Sequence, residues 1–183
     1  VENVSTWVCA PSAMEGNFMS CFIDFETSSQ SADSWPIEVG LATIVGNETR
    51  VWGSLIRPSA RWNIKNWNPG FQKSHGIEFE DLQKAPAPAD VVGQLIMRMK
   101  PYDYTAYTRQ PETANKLVEL LLSGHSSCQQ IKILSIDDLL RKWGLTVPNL
   151  ERINRYFQRT QNVPRAELRA ATLAFAFKTG GCS

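Results

Sequence analysis

The chain has 183 residues, 43% of them hydrophobic and 20% charged, with a formal net charge of +1. That composition suits one compact α/β domain with a sizeable core and needs no second domain. No run approaches the roughly 18–20 apolar residues of a membrane span and the chain start lacks a signal-peptide pattern, so a soluble, cytoplasmic protein with no membrane partner is expected.

Residues 1–17 read as an N-terminal extension and 18–183 as the folded domain. Residues 18–26 are expected to form the first strand, rich in Phe and Ile. Successive side chains of a strand alternate between faces, so Asp24 and Glu26 share one face while Ile23 and Phe25 pack on the other. Cys21 has the parity of the packed face and reads as a small buried thiol. Two acids side by side repel unless a cation lies between them, which makes the Asp24–Glu26 pair a candidate divalent-metal seat.

Residues 28–34 form a polar connection. Strands follow at 36–45 and 49–57, joined at the turn dipeptide Gly46-Asn47, so the first three strands make an antiparallel meander. Residues 62–71, with Trp62, Trp67, Pro69 and Gly70, read as an ordered loop. His75, in Ser74-His75-Gly76-Ile77, reads as a loop-fixing residue, and a short acidic helix follows near 78–83. Over 88–99, Val91, Val92, Leu95, Ile96 and Met99 make a helical stripe that predicts core packing. A short strand at 105–107 leads into a helix over 111–122, ended by Ser123-Gly124. A fifth strand is expected at 130–134; Ser135 then caps a helix over 136–143, with Asp138 completing a capping box. Helices over 149–159 and 165–178 finish the chain. Together these elements predict a mixed sheet flanked by helices.

The four cysteines, Cys9, Cys21, Cys128 and Cys182, show no CxxC pair and no ligand spacing with His75 or His125, which argues against zinc. His125 reads as exposed. Trp35, Trp52 and Trp143 read as core or loop anchors, and Trp62 and Trp67 are the ones worth testing as base-stacking surfaces.

Charge is uneven. Residues 1–140 hold 11 basic and 16 acidic side chains, whereas 141–183 hold 8 and 2. In the helix at 149–159, Leu150, Ile153 and Phe157 make one stripe, and Arg152, Arg155 and Arg159 make another about 200° away. One face packs and the other is arginine, spaced to follow a phosphate backbone, with Tyr156 as a stacking surface. A solvated amphipathic face is the plainer alternative.

Four segments in order, Phe22-Ile23-Asp24-Phe25-Glu26, Pro36-Ile37-Glu38-Val39-Gly40, His75-Gly76-Ile77 and Pro164-Arg165-Ala166, resemble the DEDDh-type 3′-to-5′ exonucleases, whose fold is RNase H-like. The resemblance spans 19–177. It implies two-metal phosphodiester hydrolysis, with four carboxylates on two magnesium or manganese ions and a histidine activating water. Asp24 and Glu26 match the first motif. Aligning residues 107–112 with the second motif puts Ala114 where the family has aspartate. In the third, Pro164 stands for the histidine and Arg169 for the aspartate five residues on, while Glu167 lies about 200° from Arg169 on a helix. Three of five catalytic positions are thus replaced by residues unable to do the original work.

The expected protein is a pseudo-exonuclease: a nucleic-acid-binding or protein-interaction module with Arg165 added to the arginine face as a binding residue. Its partner would be single-stranded nucleic acid or a protein, with a homodimer as in several relatives. No cofactor is expected, and magnesium or manganese would bind Asp24 and Glu26 only weakly. One alternative is a working metal-dependent exonuclease with Glu112 as a substitute ligand. Another is a structural subunit whose old cleft receives a protein. With the fold kept, Arg169 is expected to reach Asp24 and Glu26 and stand in for the metal's charge.

Overall fold

The computed structural model describes residues 19–123, 130–159 and 163–181. The N-terminal extension, Cys9, Gly124, His125, Cys128, Cys182 and the Arg159 side chain lie outside the described residues.

Five strands form one sheet in the order β3-β2-β1-β4-β5: β1 Met19–Thr27, β2 Pro36–Val45, β3 Glu48–Leu55, β4 Thr105–Thr108 and β5 Lys132–Ser135. The expected meander is present, since β1 and β3 each pair antiparallel with β2, while β4 joins β1 and β5 in parallel. The seven helices of the described residues are α1 Pro69–His75, α2 Phe79–Lys84, α3 Pro88–Met99, α4 Pro111–Leu122, α5 Ile136–Trp143, α6 Val147–Arg159 and α7 Ala166–Gly181.

The strand alternation divides the core. Cys21, Ile23 and Phe25 point to one face with Val39 and Leu41, under Val91, Val92 and Leu95 of α3 and Leu117 and Val118 of α4. Phe22 points to the other face with Ala42 and Ile44, under Leu139 of α5, Ile153 and Phe157 of α6, and Leu173 and Phe177 of α7. Because β2 is covered on both sides, eight of its first nine residues are buried, including the charged Glu38.

The segment 62–71 departs from the loop reading. A 3₁₀ turn, Ile64–Asn66, is followed by α1, whose start is fixed by the Asn68 side chain accepting the Gly70 N–H and by Pro69 in the first turn. Gly76, at φ 67°, ends it in the left-handed conformation. Helix α1 is short and packs through aromatic rings, so it carries no apolar periodicity. The Ser135 capping box is present as read, with Ser135 Oγ accepting the Asp137 N–H and Asp138 returning to the Ser135 N–H. At the end of α4 the C-cap is Ser123, in the right-handed region.

Candidate functional site

The C-terminal ends of β1 and β4 open into a cleft of about 770 Å³. Strand β1 supplies Asp24 and Glu26, β4 ends at Thr108, α4 supplies Thr113 and Lys116, and α7 supplies Arg169 and Thr172. This is where open α/β sheets present ligands, beside the carboxyl ends of parallel strands.

Arg169 fills the space between the two acids. Its Nε donates to Asp24 Oδ2 at 3.0 Å, and its Nη2 donates to Asp24 Oδ1 at 3.3 Å and to the Phe25 carbonyl at 2.8 Å. Its Nη1 donates to Glu26 Oε1. Four of the five guanidinium N–H groups are thereby engaged. Burial by itself would favour the neutral guanidine, but the Asp24 charge and the hydrogen bonds to both acids outweigh it and hold the Arg169 pKa above the ordinary arginine value.

The second motif needs a correction. Ala114 is buried in the core beside Leu117 and Val118 and does not line the cleft. The cleft is lined instead by Gln110, the N-cap of α4, and by Thr113 and Leu117 within the helix, one row at i, i+3 and i+7. The first-turn residue of α4 that lines the cleft is therefore Thr113, and it carries no carboxylate. Glu112 is exposed on the first turn of α4 and does not line the cleft, so it is poorly placed as a substitute ligand. Pro164 is exposed just before α7 and lies off the cleft. Glu167 turns toward Gly53 of β3, away from the acids, as its helical phase requires.

Arg165 is engaged within the fold rather than left open to a phosphate. Its Nε and Nη2 donate to Glu38 Oε1 at 2.8 and 2.5 Å, and the Ala166 N–H donates to Glu38 Oε2 at 2.8 Å. The hydrogen bond to Glu38 holds the Arg165 pKa above the ordinary value. Sequence reading missed Glu38 as a partner, although a lone charge inside an apolar strand was the available signal.

Helix α6 has the two faces expected of it, with Ile153 and Phe157 buried and Arg152 and Arg155 exposed. The Tyr156 ring lies 5.3 Å from that of Phe175, so its packing is partly internal. Two further cations border the cleft that sequence reading did not flag. The Arg109 guanidinium sits 5.2 Å from the centre of the Phe157 ring, and Lys116 Nζ reaches across to the Ala32 carbonyl.

Trp62 does not offer a base-stacking surface: it is buried and stacked 5.7 Å from Trp35, whose other stacking neighbour at 6.2 Å is the half-buried Trp67. His75 does fix its loop, its Nδ1 accepting the Ile77 N–H at 3.0 Å, while its buried Nε2 has no hydrogen-bond partner among the described residues. Desolvation lowers the His75 pKa, against the pull of Glu26 and Glu38. Burial pushes the Cys21 thiol up and leaves it protonated.

No family model matches the chain, and no curated protein matches it by sequence. Solved structures do. The nuclease domain of 3′hExo, a DEDDh family member bound to rAMP, superposes with a TM-score of 0.62 at 14% identity over 90% of this chain and 93% of that one. The cell-death related nuclease 4 (CRN-4) gives 0.55 at 13% identity over 88% and 62%. E. coli Exonuclease I in complex with a dA16 oligonucleotide gives 0.53 at 13% identity, over 90% of this chain and 41% of that one. Strand order, helix placement and these superpositions agree: the chain has the RNase H-like fold of the DEDDh 3′-to-5′ exonucleases.

Proposed function

We propose that this chain is a catalytically degenerate exonuclease-fold protein that binds single-stranded nucleic acid and does not cleave it. The observation that carries the reading is Arg169, which occupies both acids of the first motif. Among the described residues no three His, Cys, Asp or Glu side chains converge, and the first-turn residue of α4 that lines the cleft is a threonine. That donor set does not fit two divalent cations, so no hydrolytic step is assigned to them.

Binding is favoured by the cleft's charge. Arg109 and Lys116 line the cleft beside the ion pair of Arg169 with Asp24 and Glu26, and the exposed Arg152 and Arg155 add a basic face on the side of α6 opposite the buried Ile153 and Phe157. Phosphate contacts of this kind supply affinity without sequence preference. Exonuclease I, which has this fold, is solved with a bound oligonucleotide, which supports a similar ligand class here.

Fluorescence anisotropy with a labelled single-stranded oligonucleotide tests the reading. Expected are binding that weakens steeply with salt, no cleavage with magnesium or manganese, and a salt slope smaller by about 1 for each of Arg152→Ala and Arg155→Ala. Absence of binding at low salt, or metal-dependent release of mononucleotides that Asp24→Ala abolishes, would reject it.

A further inference from the structure

Glu38 is 1% exposed near the start of β2 and stands directly opposite Glu26 of β1. Two carboxylates facing each other across an antiparallel pair repel, and burial adds to the cost. Each is matched by an arginine from the start of the same helix, Glu26 by Arg169 and Glu38 by Arg165. The Glu38 contact does more than balance charge. One of its oxygens takes two N–H groups of Arg165, and the other takes the amide of Ala166, the first residue of α7. An N–H there has no intrahelical acceptor, and the helix dipole favours an anion beside it, so this carboxylate anchors the helix by its end.

Two backbone features fit that anchoring. Arg165 is held at φ 74°, a left-handed conformation that a non-glycine residue keeps only where its surroundings over-determine it. Gly40, two residues beyond Glu38 on the same face of β2, lets the Ala166–Glu167 backbone lie directly on the strand, and a Cβ at Gly40 would overlap it. Arg169 closes the first turn, its N–H donating to the Arg165 carbonyl at 3.1 Å. The position of the Arg169 Cα is therefore set by the same turn that Glu38 holds.

We infer that Glu38 is the positioning residue of this site: by gripping Arg165 and the Ala166 amide it fixes where α7 begins, and so delivers the Arg169 guanidinium to Asp24 and Glu26. The inference rests on Arg169 being the occupant of the acid pair, and the test separates the two.

Arginine Nε–H correlation spectra of the ¹⁵N-labelled full chain, with solvent-exchange rates, read each guanidinium directly. The wild type is expected to show slowly exchanging signals for Arg165 and Arg169, assigned by their loss in Arg165→Lys and Arg169→Lys. In Glu38→Gln both signals should weaken, with exchange at Arg169 at least tenfold faster. A general loss of stability would speed exchange of the protected core backbone amides as well, so faster exchange at Arg169 with those amides unchanged distinguishes positioning from scaffolding. Unchanged exchange at Arg169 in a folded Glu38→Gln overturns the inference and leaves the Arg169 contact standing. A wild type without a protected Arg169 signal overturns both. If Glu38→Gln does not fold, Arg165→Gln decides: at least threefold faster exchange at Arg169 supports the inference and an unchanged rate overturns it.

Discussion

At the residue scale the site is governed by donor and acceptor accounting. With four N–H groups engaged on Asp24, Phe25 and Glu26, Arg169 has little left to offer a phosphate, and it compensates two acids that would otherwise be partly buried and alone. Removing one partner of such a group is costly, so Arg169→Ala should lower stability by on the order of 3 kcal/mol. Urea unfolding measures this, and a loss near zero would mean the contact is incidental. His75 gives a pH signature. Desolvation holds its pKa below the ordinary 6.5, so the folded chain takes up its proton less readily than the unfolded chain does. Stability from the neutral ring is complete above pH 6.5 and is lost as pH falls below it. The thermal midpoint should therefore fall between about pH 7 and pH 5, and fall less in His75→Gln. Equal falls in both proteins would show that His75 is not the group responsible.

At the scale of elements, α7 and β2 form the unit that makes the site. Gly40 is where they touch through backbone, and Gly40→Ala should cost about 1–3 kcal/mol by overpacking, with the start of α7 displaced. An unchanged urea midpoint would show that the approach is looser than described. These elements also show what was legible in the sequence. The α3 stripe of Val91, Val92, Leu95 and Met99 and the Ser135–Asp138 capping box were readable because periodicity and capping are local. The rotational phase of α4 was not. Neither Thr113 nor Ala114 is apolar or polar enough to mark a face, so only packing shows that Thr113 meets the cleft and Ala114 the core. Helix α1 was missed because its signal is a cap, Asn68-Pro69, rather than a stripe.

At the scale of the whole molecule, the charge imbalance between the two parts of the chain has a second component beside the basic surface its sequence suggested. Part of the basic excess of residues 141–183 faces inward: Arg165 and Arg169 cross to Glu38, Asp24 and Glu26 on β2 and β1. The asymmetry is in part an ion-pair seam between sheet and last helix, which sequence position alone could not distinguish from a basic surface. Exposed arginine remains on α6, at Arg152 and Arg155. The fold was legible because the carboxylate pair, the meander and the helix pattern agree with one another, whereas the state of the site depends on contacts such as Glu38–Arg165 between residues far apart in sequence.

The most direct test of the account is a manganese titration of the full chain, following the free-ion signal by electron paramagnetic resonance. Arg169 and a divalent cation compete for the same oxygens, so the wild type should bind no manganese at this site at micromolar concentrations. Arg169→Ala should gain a site that a second substitution, Asp24→Ala, removes. Micromolar manganese binding by the wild type that Asp24→Ala abolishes would contradict the account, because the acid pair would then be a metal seat and Arg169 only its neighbour.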